Sequence, residues 1–495
     1  MLLSRLFQYL PEADLKELAS LDIQGLHYDS RKAGPKDLFV ALRGYKNDGH
    51  AYIPDVLSKG AIVVAETGAY PPAPHVILVQ NTRRALALLS KAYFGSPDRE
   101  LTVLGVTGTN GKTTSTFMLK SILEAQGIKT GLIGTIFYSY GDKLEPATHT
   151  TPESYETYRM MREIRNNGGE ALVMEISSHA LFLDRVYGLD LDVAIFTNLT
   201  QDHLDFHESL DAYLKAKLLI FDLLQNSHKS KKLALLNQDA QSFNEIKAYV
   251  AERGLDYQTY GIHSPAHWQG FSLAMNIVHN IFEVKAGELT LEIDTPMLGE
   301  FNIYNALGAL GAAFFLGISP QTISRALSGV HVPGRFQTIS NFLGFAVLID
   351  YAHTPDALEN IIRAGQALKP LNIITVFGCG GDRDKGKRPL MGDVARRLSS
   401  YTILTSDNPR SEDPAGILSE IEAAFNGSDA YESEIDRERA IKKAIDMADA
   451  GDLVIIAGKG HEDYQIFKDK TIHFSDKEMA EKYLRERESA LSYKK

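Results

Sequence analysis

Short apolar runs separated by polar, glycine-rich segments recur along the chain, with helical periodicity between them. Leu101-Thr-Val-Leu-Gly-Val reads as a buried strand entering a Gly/Thr loop. Residues 113–126 then repeat at helical spacing, with Gly127 placed as a C-cap. Further buried strands are predicted at Ala171–Met174, Asp192–Phe196 and Leu233–Leu236. Strands alternating with helices predict a parallel sheet covered on both faces. Ahead of this block, runs such as Asp37–Leu42 and Ala61–Ala65 mix with helical stretches and end at Gly95-Ser-Pro-Asp, a composition typical of a linker. Behind it a second break falls at His331-Val-Pro-Gly-Arg. There the alternation restarts, with strand Ala346–Ile349, a helix from Pro355, and strands Ile373–Phe377, Tyr401–Leu404 and Leu453–Ala457. The breaks divide the chain into 1–97, 98–332 and 333–495. Polar and glycine-rich residues follow the later strands, where open α/β sheets place their ligands.

Composition narrows the class. A chain of 495 residues exceeds one hydrophobic core and fits about three domains. The single cysteine, Cys379, excludes a disulfide framework and a cysteine-rich zinc site, and fits a reducing compartment. The first twenty residues hold Arg5, a proline and several acids where a signal peptide needs an apolar run. No segment approaches the ~18 consecutive apolar residues of a membrane span. A net charge of −11 argues against general affinity for nucleic acid. A soluble cytoplasmic protein is expected.

The candidate chemistry begins after the strand at residue 101. Gly105-Val-Thr-Gly-Thr-Asn-Gly-Lys-Thr-Thr lies between a strand and a helix, the setting of a phosphate-binding loop. Glycines admit backbone N–H groups to the phosphates, and the helix N-terminus adds a favourable dipole. Lys112 is expected to neutralise β/γ oxygens and Thr113 to hold Mg²⁺. Val106 stands where strict Walker spacing wants glycine, so the loop is a shortened variant. Alone it specifies a nucleotide site and leaves ligase, kinase, transporter subunit and switch open. Glu175 and Ser177-Ser178-His179 end a buried strand, where a carboxylate is costly unless paired or bound to a cation. Thr197–His207 repeats the arrangement with His203, and Lys217 follows on an expected helix. Singly these are ordinary loop or surface residues; behind a phosphate loop, together, they point to a catalytic magnesium centre.

The segments 108–114, Thr150–Ser154, Met174–Leu181, Phe196–His207 and Tyr213–Lys217 closely resemble the Mur ligases. So do Tyr28–Arg31, Leu298–Asn305, Val332–Arg335, Asp350–Leu358, Gly378–Pro389, Ser406–Arg410 and Ala457–Glu462. Within the family the pattern is similar to the member that adds the third amino acid. The resemblance implies an α/β protein of three domains: an N-terminal UDP-substrate domain, a central P-loop ATPase domain with a parallel sheet, and a C-terminal Rossmann-like amino-acid domain. It places Ser30 in the uridine pocket, and Thr150, Thr151, Ser178 and Arg185 on a UDP-N-acetylmuramoyl dipeptide. Gly108, Thr109, Asn110, Gly111, Lys112, Thr113, Thr114, Asn305, Arg335, Asp350 and His353 serve ATP. Thr113, Glu175, His203 and Lys217, the last carrying a CO₂-derived carbamate, surround two Mg²⁺ ions. Lys112, Lys217, His203 and Arg335 are the catalytic set. Arg383, Asp407, Asn408, Pro409, Arg410, Gly458 and Glu462 take meso-diaminopimelate. One departure stands out: Leu183 occupies a position where the family often has glutamine. The implied enzyme is a cytoplasmic monomer that activates a carboxylate as an acyl phosphate. The competing readings are the same ligase using L-lysine, a folylpolyglutamate synthetase, and a non-catalytic nucleotide switch.

Overall fold

The computed structural model describes residues 1–44, 47–276 and 279–492. In the first domain, strands Leu26–His27, Leu38–Val40, Ile62–Glu66 and Val76–Val79 pair in chain order, all parallel. Leu38, Val40 and Val64 pack with Ala85, Leu86 and Leu89 of helix Thr82–Tyr93, whose N-terminus is capped by Asn81.

The expected linker at Gly95-Ser-Pro-Asp is a packed joint instead. Pro97–Glu100 forms a helical turn, and Asp98 is fully buried. Lys91 of the first domain reaches Asp98 at 2.8 Å and Asp190 of the second at 2.7 Å. Turn-forming composition was visible in the sequence; the distant Asp190 that completes the buried ion pair was not.

Among the described residues the central sheet has eleven strands. Its middle is parallel as expected, in the order Trp268–Met275, Tyr257–Gly261, Leu233–Asn237, Val193–Phe196, Thr102–Thr107, Ala171–Glu175, Thr130–Ile133. Both edges depart from the expectation of a parallel sheet. Asn280–Ala286 and Leu289–Thr295 extend one edge antiparallel, and Phe137–Tyr140 and Lys143–Pro146 the other. Gly287 and Gly141, each with φ of 59°, make the tight reversals, and buried Phe282 and Val284 show the period-two alternation of a strand with one covered face.

The C-terminal sheet runs Gln337–Ile339, Ala346–Asp350, Leu453–Ala457, Ile373–Phe377, Tyr401–Leu404, Tyr431–Ser433, antiparallel only at the first pair. Continuous branched runs such as Leu453–Ala457 are buried throughout, as covered parallel strands require. No helix among the described residues is long and apolar enough to cross a membrane.

Candidate active site

The chain leaves strand Thr102–Thr107 in a loop that only glycine permits. Gly108 and Gly111 have φ of 141° and 86°, and a Cβ there would meet Thr197 Oγ1 at 1.8 Å and Asn305 Oδ1 at 2.2 Å. The next strand's exit pins this loop: Thr109 N–H donates to the Asn198 carbonyl (2.9 Å) and Asn110 N–H to Asn198 Oδ1 (2.8 Å). Helix Lys112–Ala125 begins after Gly111, so its first-turn N–H groups have no intrahelical acceptor and lie at the pocket lined by Gly111 and Thr114.

Lys112 and Lys217 donate to one oxygen, the Gly108 carbonyl, at 3.0 and 2.7 Å. Neither pairs with a carboxylate among the described residues. Burial, and then the neighbouring Lys112, push the Lys217 amine well below its ordinary range; burial lowers Lys112 too. So many donors turned to one loop, with the first-turn N–H groups of the helix, suit a polyanion. Glu175, also buried, accepts from Thr135 N–H (2.8 Å) and Thr135 Oγ–H (3.0 Å). Burial pushes the His203 imidazole down to about 3, and its Nε2 lies 3.3 Å from Asp202. Among the described residues, no three His, Cys, Asp or Glu side chains cluster to hold a metal by themselves. Of the expected donors, the buried Glu175 carboxylate and Thr113 hydroxyl are oxygen ligands of the kind Mg²⁺ takes. A neutral amine at Lys217 is the form that adds CO₂.

The C-terminal domain closes directly on the loop. Arg335 donates to Thr113 Oγ1 (3.2 Å), Asn110 donates to Asp356 (2.7 Å), and Asp202 lies 3.8 Å from Lys387 and 3.9 Å from His353. The cleft between them, about 590 Å³, is lined by Gly111, Thr114, Asn305, Arg335 and Asp350 among others. The Nε–H of Arg335 is buried with no acceptor among the described residues, a donor that a phosphate oxygen would satisfy.

The residues expected to hold the dipeptide converge beside Glu175. Thr151 Oγ–H donates to the Glu175 carbonyl (2.8 Å), and Thr150 and Thr135 hydroxyls lie 3.2 Å apart. Arg185 donates to the Thr151 carbonyl (3.1 Å) and pairs with Glu153 (3.0 Å), while Ser178 Oγ bonds His207 (3.0 Å). Leu183 caps the short helix Ser178–Phe182, two residues from Arg185. Ser30 stays apart in the first domain, its carbonyl 3.4 Å from the Lys59 ammonium.

The third group lies at the ends of Tyr401–Leu404 and Leu453–Ala457. Asn408, buried, donates to Glu462 (2.8 Å) and accepts from Lys459 (3.2 Å), and Lys459 pairs with Glu462 at 3.0 Å. Asp407 accepts from Asn408 N–H (2.6 Å) and abuts Gly458, where a Cβ would sit 2.7 Å from its Oδ2. Arg410 takes the left-handed φ of 52° and donates to the carbonyls of Gly381 (2.8 Å) and Asn408 (3.5 Å). The Pro409 carbonyl packs so close to Gly381 that no Cβ fits there, whereas Arg383 is exposed and donates to the Asp382 carbonyl at 3.4 Å. Several residues of the site carried no expectation: Asn198, Asp202, Asp356, Lys387 and Lys459. Lys387 and Lys459 each follow a glycine in a motif dense with charge, yet nothing local marks either as buried.

Comparison with known proteins agrees with this geometry. Residues 22–94 match the Mur ligase family catalytic domain, 106–313 the Mur ligase middle domain, and 334–460 the Mur ligase glutamate ligase domain. The chain is 43% identical over 486 residues to the UDP-N-acetylmuramoyl-L-alanyl-D-glutamate--2,6-diaminopimelate ligase of Clostridium perfringens, covering 97% of this chain and 98% of that one. A solved structure of an enzyme of that name aligns with a TM-score of 0.71 and 30% identity over 99% of this chain and 100% of that one. The Mycobacterium tuberculosis folylpolyglutamate synthase complexed with ADP and AMPPCP aligns at 0.63 with 17% identity over 76% of this chain and 92% of that one, a likeness of fold alone. With a phosphate loop, a closing C-terminal domain and relatives of this similarity over nearly its whole length, the chain belongs to the Mur ligase family and is an ATP-dependent ligase that forms a peptide bond.

Proposed function

We propose that this ligase adds meso-2,6-diaminopimelate to UDP-N-acetylmuramoyl-L-alanyl-D-glutamate during peptidoglycan precursor synthesis, as a monomer in the cytoplasm. In this reading residues 1–97 take the UDP group through Ser30, 98–332 take ATP and the dipeptide, and 333–495 take the amino acid. A carboxylate oxygen of the D-glutamate side chain attacks the γ-phosphorus and ADP leaves. The amine then attacks the acyl carbon and inorganic phosphate departs with its oxygen. Two anions must meet in the first step, so the tasks of the chain are positioning and charge neutralisation. Lys112, Arg335 and the first-turn N–H groups of helix Lys112–Ala125 neutralise phosphate; Thr151, Ser178 and Arg185 orient the acceptor. Thr113, Glu175, His203 and a carbamylated Lys217 would hold Mg²⁺, which would add further neutralisation of the transferring group. Closure of the C-terminal domain over the loop excludes water that would hydrolyse the acyl phosphate.

The observation that carries the choice of amino acid is the contrast between Arg410 and its neighbours. Glu462, Asn408 and Lys459 are bonded to one another, while the Arg410 guanidinium touches only main-chain carbonyls and makes no ion pair among the described residues. A guanidinium so placed takes a distal carboxylate bidentately, with Glu462 receiving the distal ammonium. L-Lysine has no such carboxylate, and sites that lose a partner of this kind discriminate by ~10⁴-fold. An amino-acid panel in a phosphate-release assay with the UDP-muramoyl dipeptide tests the reading. Diaminopimelate should dominate, and Arg410→Ala should lose its turnover with little change in KM for ATP. Equal or better kcat/KM with L-lysine would overturn the assignment.

A further inference from the structure

The two loops that form the amino-acid pocket come from strands that are not neighbours in the sheet. Tyr401–Leu404 leads to Asp407–Arg410, Leu453–Ala457 leads to Gly458–Glu462, and Ile373–Phe377 lies between them. A clamp beneath the pocket spans both exits. Arg437, at the start of helix Arg437–Met447, has a fully buried side chain. Its Nη2 donates to the Ala457 carbonyl (2.9 Å) and its Nη1 lies 3.5 Å from the Ser406 carbonyl, the residues immediately before Gly458 and Asp407. Its other face is held by both carboxylate oxygens of Asp476, each at 2.7 Å, and Asp476 is equally buried.

We infer that Arg437 is a positioning residue for the amino-acid subsite, fixing the spacing between the Asp407–Arg410 and Gly458–Glu462 loops, with Asp476 as its orienting counter-ion. The inference rests on the proposed function of that pocket. Three features support it. A buried guanidinium can satisfy four acceptors in one plane, and here two belong to the separate strand exits and two to Asp476. The spacing it fixes is tight, since a Cβ on Gly458 would lie 2.7 Å from Asp407 Oδ2 and 3.8 Å from Arg437 Nη2. The counter-ion comes from a separate element: the glutamate ligase domain match ends at residue 460, whereas Asp476 opens the terminal helix Asp476–Ser492. That helix thereby acts on substrate geometry through a single side chain.

The test uses the full-length enzyme in the phosphate-release assay, with KM measured separately for diaminopimelate, ATP and the UDP-muramoyl dipeptide. Removing one partner of a buried pair leaves an uncompensated charge, so the main variant replaces both, Arg437→Met with Asp476→Leu. A second variant, Arg437→Lys, keeps the charge opposite Asp476 but cannot reach both strand exits. In each, KM for diaminopimelate should rise roughly tenfold or more, since misplacements near 1 Å can cost up to about 10²-fold, while the other two KM values stay within about twofold. A folded variant with an unchanged diaminopimelate KM, or an equal rise in all three, would overturn the role of Arg437. Failure of the unsubstituted enzyme to turn over with diaminopimelate would instead overturn the reading of the pocket.

Discussion

The phosphate-loop site and the amino-acid pocket both gather charge at strand ends, yet they balance it in opposite ways. At the loop, Lys112 and Lys217 share the Gly108 carbonyl, and Arg335 keeps a buried donor without an acceptor among the described residues. In the pocket, Lys459, Asn408 and Glu462 satisfy one another. Two buried arginines, Arg437 with Asp476 and Arg388 with Glu412 and Glu420, brace the surrounding loops. The loop is therefore an excess of hydrogen-bond donors satisfied by whatever anion enters it. The pocket is largely paired within itself, and the Arg410 guanidinium makes no ion pair among the described residues. An uncompensated buried charge costs several kcal/mol, so the loop is tuned for neutralisation and the pocket for shape.

The largest test of this contrast removes charge from the loop. Lys112→Ala should lower phosphate release by at least ~10²-fold, since one fixed group aimed at developing charge in a water-excluded site is worth that much or more. The circular dichroism spectrum should be unchanged. A variant retaining more than about a tenth of normal turnover would contradict the role of Lys112. The second test asks whether Lys217 is cationic at all in the working enzyme. Lys217→Ala should be nearly inactive and regain part of its activity with small carboxylic acids that stand in for a carbamate. Normal activity, or an unmodified ammonium in the ligand-bound protein at neutral pH, would sink that assignment.

The same contrast explains what the sequence could disclose. Strands such as Thr102–Thr107 and Leu453–Ala457 were legible because continuous branched runs have few other homes, and Gly108 and Gly111 because their spacing serves only a tight phosphate turn. The antiparallel edges were not, since Ile281 and Phe282 stand side by side and interrupt the apolar alternation of Asn280–Ala286. Thr150, Thr151, Ser178 and Arg185 were reached by resemblance, and the structure brings them together beside Glu175. Compensation was the invisible part. Lys459, Arg437 and Asp476 read as ordinary charged residues, because burial of a charge depends on partners that the local sequence does not announce.

The smallest effect expected is on stability against pH, to which His353 and His461 at the seam between the two sites contribute along with His179, His203 and His207. His353 stands beside Asp202 and Lys387 at the loop, and His461 lies between Arg335 and Lys459 at the pocket. Burial, and then the nearby cations, push His353 down to about 4 and His461 down to about 3. In the unfolded chain both protonate near ~6.5. Between those values the unfolded state binds more protons, so the stability contributed by neutral imidazoles is complete above ~6.5 and is lost as pH falls. Buried Asp350 and Asp356, whose carboxyls burial raises, act in the opposite sense at lower pH, which makes pH 7.5 against 5.5 the useful pair. The urea midpoint should be lower at pH 5.5 and the Tm lower by on the order of a few degrees. His461→Gln should flatten that dependence. ADP, added without divalent cation, should flatten it as well, because negative charge at the loop raises the imidazole pKa of the folded protein and narrows its gap from the unfolded value. Equal midpoints at the two pH values in the unsubstituted protein would show that the histidines at this seam are not held neutral.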